Sequence, residues 1–89
     1  MMRYTREPKC ARPVHAIEGL RPTDRAPVGL HVTEHAGVYY TTWFIDGATV
    51  YRRRYSGRNV HDLLTELSAL RAGLIEIQEA GVGIQGEAS

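Results

Sequence analysis

From Val28 to Glu34 (VGLHVTE) apolar and polar residues alternate, with Val28, Leu30 and Val32 on one side and His31 and Thr33 on the other. A period of two is the mark of a strand with one buried face. His35-Ala36-Gly37 reads as a turn. The alternation resumes in VYYTTWFI and ATVYRRRY, two β-branched and aromatic runs joined by Asp46-Gly47. That dipeptide supplies the two positive-φ positions of a type I′ hairpin turn. A regular hairpin on this turn pairs Ile45 with Ala48, Trp43 with Val50 and Thr41 with Arg52 on one face. On the other it pairs Phe44 with Thr49, Thr42 with Tyr51 and Tyr40 with Arg53.

After Ser56-Gly57-Arg58 the period changes. Val60, Leu63, Leu64, Leu67, Leu70, Leu74 and Ile77 recur at spacings of three and four, which predicts an amphipathic helix. Asn59 is placed to cap it, with Asp62 near the positive end of its dipole. If it reaches Ala80 its length is about 30 Å, and Gly73 marks an end or a bend within it. The glycines at 81, 83 and 86 then fall in a loose tail.

Before Val28 the pattern is weaker. Pro8, Pro13, Pro22 and Pro27 interrupt it, and Val14, Ala16, Ile17 and Leu20 form its only apolar cluster. Proline lacks an N–H and restricts its predecessor, so regular pairing is hard to sustain. The expectation is an α+β domain: a three-stranded antiparallel meander, with room for a fourth short strand around Val14–Ile17, and one C-terminal helix packed on one face. Residues 1–27 are expected to be an irregular basic arm, 28–81 the βββα domain and 82–89 a flexible tail.

The helix needs an apolar seat. If the turn at 35–37 has an even count, Val28, Leu30 and Val32 share a face with Trp43, Ile45, Ala48 and Val50, and the helix is expected there. An odd count moves the first strand to the opposite face. The favoured even count leaves Tyr40, Phe44, Tyr51, Arg53 and Tyr55 together on the second face, beside His31, Thr33, Thr42 and Thr49, with Arg52 and Arg54 at the rim of the first. So much aromatic surface calls for a cover, either the arm, a second copy in a homodimer or a foreign partner.

Charge sharpens this picture. Of 11 basic residues only Arg71 follows Val60, whereas the 10 acidic ones divide evenly about that point, and the net charge is +1. Arginine beside aromatic rings on a sheet suits single-stranded nucleic acid, by stacking and charge together. An edge strand guarded by charge against aggregation looks the same in sequence. Glu66 and Glu76 on the polar side of the helix suit a basic groove on a protein.

Catalytic signals are thin. Cys10 is the only cysteine, so no internal disulfide forms, which fits a reducing, cytoplasmic setting. It has no evident histidine partner. His15, His31, His35 and His61 have no metal-ligand spacing, and no third ligand or orienting carboxylate is placed to make a site with any of them; His61 beside Asp62 reads as a first-turn surface residue. No phosphate-binding glycine motif, signal peptide or membrane span is present, and no cofactor or metal is implied.

The expected function is that of a small non-enzymatic binding protein. It would be an accessory or inhibitor protein of the kind phages and mobile elements encode, docking on a host protein or a nucleic-acid-handling complex. The alternative is a nucleic-acid-binding module. The candidate binding residues are Tyr40, Phe44, Tyr51, Arg53, Tyr55, Arg52, Arg54, Glu66 and Glu76.

Overall fold

The computed structural model describes residues 8–81, a flat α+β domain with extents of 39 × 36 × 20 Å. Five strands form one antiparallel sheet: β1 (Arg12–Leu20), β2 (Pro27–His35), β3 (Val38–Ile45), β4 (Ala48–Ser56) and β5 (Ile75–Gly81). A 3-10 turn, Gly57–Asn59, leads into the only helix among the described residues, α1 (Val60–Ala72), which lies between β4 and β5 in sequence. The spatial order is β4-β3-β2-β1-β5, so the last strand closes against the first.

Two hairpins follow from local chemistry. Asp46 and Gly47 both have positive φ, at 55° and 84°. Ala36 and Gly37 do the same at 53° and 82°, leaving His35 opposite Val38. The first hairpin therefore has an even, two-residue turn. Leu30 faces Trp43 and Val28 faces Ile45, which gathers the aliphatic side chains of β2 with them on one side of the sheet.

The helix packs on that side. Leu30, Ile17 and Leu63 are wholly buried, and Val14, Val32, Tyr39, Tyr55, Val60 and Leu67 complete the core. Trp43, Leu64, Leu70 and Ile77 pack half-buried around it. Asn59 precedes the helix but makes no side-chain capping bond, because winding has already begun at the 3-10 turn.

Three expectations are corrected. First, the sheet begins inside the segment read as an arm. β1 runs for nine residues in an interior position, with Pro13 beside its first residue and Pro22 in the following turn, where prolines do little harm. A bulge between Pro13 and His15 makes Val14 an extra residue, which breaks the alternation that would have announced the strand.

Second, the helix stops at Ala72, not Ala80. The Gly73 N–H bonds to the carbonyls of Ala69 and Leu70, and the chain then turns back as β5. Leu74 and Ile75 pass so close to β1 that a Cβ on Gly19 would sit 2.9 Å from the Ile75 carbonyl oxygen. Arg71, at the end of α1, binds Glu79 of β5 through two nitrogens, and Arg25 binds Glu76 at 2.9 Å. The tail expected at 82–89 lies outside the described residues, although its neighbour Gly81 is the last residue of β5.

Third, the β3–β4 hairpin is not regular. Phe44 pairs with Thr49, but Trp43 pairs with Tyr51. Val50 is the extra residue of a bulge and is half exposed. From Tyr51 onward every side chain of β4 points to the face opposite the one regular pairing would give. Deleting Val50 is accordingly expected to leave a regular ladder with the same pairs, and to shift the melting temperature by only a few degrees. A regular hairpin would respond to that deletion by losing its register, so an unfolded deletion variant would contradict the bulge.

Candidate functional site

The bulge divides the five candidate residues of β4 between the two faces of the sheet. Tyr51, Arg53 and Tyr55 turn towards α1 and meet Glu66, which occupies the side of the helix above β4. Trp43 Nε1 donates to Glu66 Oε2 at 2.6 Å, and the Tyr55 hydroxyl donates to Oε1. The Tyr51 hydroxyl reaches Oε2 at 3.5 Å. Arg53 stands 4.0 Å from Oε1, donates to the Tyr55 hydroxyl at 3.4 Å and lies over the Tyr51 ring, 4.9 Å from its centroid. Trp43 and Tyr51 stack obliquely at 5.6 Å.

This is a carboxylate surrounded by donors, with only 15% of its side chain exposed. Burial, then the nearby Glu66 carboxylate, pushes both phenols above the ordinary tyrosine range. Arg53 is held more firmly protonated, first by its bond to Tyr55. The phenols thus remain donors to Glu66. The arrangement locks helix to sheet, and it withdraws Glu66 from the acidic strip expected on the helix surface. Glu76 is not on the helix at all; it lies on β5 and is paired with Arg25.

The opposite face of the sheet carries no element among the described residues. Its rows follow from the register. Glu18 of β1, Gly29 of β2, Phe44 of β3 and Thr49 of β4 form one; Ala16, His31, Thr42 and Arg52 form the next; Thr33, Tyr40 and Arg54 form a third. Arg52 and Arg54, expected at the rim of the helix face, are moved here by the bulge, while Tyr40 and Phe44 stay where the pattern put them. Neither arginine has an ion-pair partner among the described residues, and both are exposed.

His31 packs edge-on against Phe44, with centroids 4.7 Å apart, and contacts Glu18 Oε2 through Nε2 at 2.8 Å. Gly29 keeps the floor low between them: a Cβ there would stand 3.1 Å from Glu18 Cγ. The result is an open groove of about 460 Å³, lined in part by Phe44, Gly29, His31, Glu18, Leu20 and Gln78. His31, Glu18 and Gln78 were not among the sequence candidates. Glu18 and Gln78 become neighbours only through the β1–β5 pairing, for which no local turn gives a signal.

Three dyads correct the reading of the titratable residues. Cys10 Sγ lies 3.2 Å from His35 Nδ1, so the cysteine does have a histidine beside it. His31 and His15 each have a carboxylate, Glu18 at 2.8 Å and Glu79 at 3.5 Å. Long-range strand pairing brings these residues together. Among the described residues no group of three or more His, Cys, Asp and Glu side chains gathers as a metal site would. No helix among them is long and apolar enough to cross a membrane. Comparison with models of known protein families, with curated proteins and with solved structures finds no match for this chain.

Proposed function

We propose that this chain is a small non-enzymatic binding protein that docks on another protein through the open face of its sheet. The observation that carries the reading is the layout of that face: Phe44, His31 and Tyr40 at its centre, Arg52 and Arg54 on one flank, Glu18 on the other. An aromatic centre with a charged rim is the anatomy of a protein-docking surface. A sheet held from behind by α1 presents it with little ordering cost. The small size, the near-neutral charge and the two-membered dyads fit an accessory or inhibitor protein of the phage or mobile-element kind better than an enzyme. Its partner would then be a host protein or a complex that handles nucleic acid.

The second reading is a single-stranded nucleic-acid platform. Tyr40 and Phe44 on one face of β3 beside Arg52 and Arg54 favour it, since rings stack on bases while guanidiniums take phosphates. Against it stands Glu18, which puts a negative charge across the groove where a strand would continue. Tyr51, Arg53 and Tyr55 are also turned away.

Capture from a lysate, with and without nuclease, tests the two together with titration of labelled single strands. For docking on a protein, capture is expected to survive nuclease and to disappear for Phe44→Glu, with no salt-dependent shift of the oligonucleotide. Tight binding of single strands, falling steeply as salt rises and weakened by Arg52→Ala, would replace docking with the platform.

A further inference from the structure

The flanks of the open face carry opposite charge. Arg52 and Arg54 lie on edge strand β4; Glu18 lies on β1, beside the other edge strand, β5. On the assumption that this face is the docking surface, we propose that in the free protein its occupant is a second copy of the same chain, packed face to face about a two-fold axis parallel to the strands.

Symmetry and charge together select this geometry. A two-fold axis lying between the faces and along the strands keeps each copy's position along the strands but exchanges left with right. β2 then lies over β2, β3 over β1 and β4 over β5. Arg52 of one copy comes over β5 of the other, diagonal to Glu18, one same-face row or about 7 Å along the strands. Phe44 of each copy comes over the groove beside Gly29 and Glu18 of the other. The alternative axis, across the strands, sets β4 over β4 and gathers the arginines of both copies on one flank and both Glu18 carboxylates on the other. A two-fold contact is self-complementary, so each favourable pair occurs twice.

The chemistry of the groove agrees. Its floor is apolar at Leu20, Gly29 and Phe44, and its wall carries Glu18, Gln78 and Glu76, the last already paired with Arg25; this lining receives a guanidinium or a ring. Glu18 has 58% of its side chain exposed and, among the described residues, bonds through its side chain only to His31, so an acceptor oxygen remains to bind a newcomer. Arg52 is the matching donor and has no ion-pair partner among the described residues.

The area suffices. Five strands about 4.8 Å apart and some 25 Å long make a face of about 600 Å². Two such faces bury about 1,200 Å² in all, the lower bound of standard stable interfaces. Sheets packed this way align with their strands inclined by about 30°, which the twist of each sheet accommodates.

The test is charge-swap complementation, read by light scattering and sedimentation equilibrium over a range of concentrations. The full chain is expected to be a dimer that weakens as salt rises. Arg52→Glu alone and Glu18→Lys alone are each expected to weaken it about tenfold or more, because each puts like charges opposite each other at two symmetry-related places. Mixed in equal amounts, the two variants are expected to recover a heterodimer, since each new charge then meets its opposite. Circular dichroism of both variants separates weakened association from loss of fold. A chain that stays monomeric at millimolar concentration overturns the proposal, as does a dimer indifferent to both swaps. A monomer whose lysate capture still depends on Phe44 leaves the docking face standing without a second copy; a monomer that has lost that dependence removes both.

Discussion

The Leu63→Ala protein is expected to be largely unfolded at physiological temperature. Leu63 is wholly buried, on the side of α1 that meets Ile17, Leu30 and Val32 of the sheet. Truncating a buried leucine costs about 2–5 kcal/mol, part transfer free energy and part residual cavity. A domain this small has a total stability of about 5 kcal/mol, so the change removes much of the margin. Among the described residues one helix lies on one sheet, with no further layer to collapse into the void. Leu67→Ala, at a site 3% exposed, is expected to follow at a somewhat smaller cost. Thermal melts followed by far-ultraviolet circular dichroism measure both. Unchanged midpoints for the pair would mean that α1 does not pack on the Leu30 side of the sheet.

Glu66→Ala is expected to have the next largest effect, for an electrostatic reason. The substitution leaves Trp43 Nε1 and the Tyr55 hydroxyl without their acceptor in a partly buried place, at a cost of about 2–3 kcal/mol. Glu66→Gln keeps one carbonyl oxygen but offers an amide to a second donor, and is expected to lose about half as much. Trp43 is the only tryptophan, so its fluorescence reports the loss of the indole-to-carboxylate bond directly. Urea denaturation gives the free energies. An alanine variant as stable as the parent, with unaltered emission, would mean that the carboxylate does not join helix to sheet. The sheet would then owe its seat for α1 to apolar packing alone.

Much of the fold can be read from local signals because its turns are local. Asp46-Gly47 and Gly37 mark their hairpins within two residues, and the V-x-L-x-V alternation of β2 states which side is buried. The start of α1 after Asn59 follows from a change of period. What escapes is long-range. β1 and β5 pair across most of the chain, β1 under the cover of four prolines and a bulge, β5 because Leu74 and Ile77 continue the helical spacing by coincidence. The I-E-I-Q alternation after Gly73 was the available sign of a strand.

The candidate surface turned on one residue. Tyr40 and Phe44 could be placed because they lie before the bulge. Tyr51, Arg52, Arg53, Arg54 and Tyr55 could not, because Val50 is inserted between two regular stretches and nothing in the VYRRRY pattern says so. Seen from the structure, the bulge is consistent with the chemistry. It brings two phenols and a guanidinium to a half-buried carboxylate, and it leaves Arg52 and Arg54 exposed on the other side.

The closure of β5 onto β1 has a consequence for the order in which the protein is made. During synthesis β1 emerges first of the described elements, yet β5, which pairs with its outer edge, is the last of them to arrive. Until then β1 has a row of unsatisfied N–H and C=O groups on one side, and β1 through β4 can form an incomplete sheet with α1 still emerging. Pairing across so long a stretch of chain is slow to form, because loop closure must precede any contact that rewards it. The nascent domain therefore passes through a stage in which its future interior strand is an edge. Pro13, which cannot donate a ladder hydrogen bond, stands near the start of that temporary edge and limits what another chain can add there.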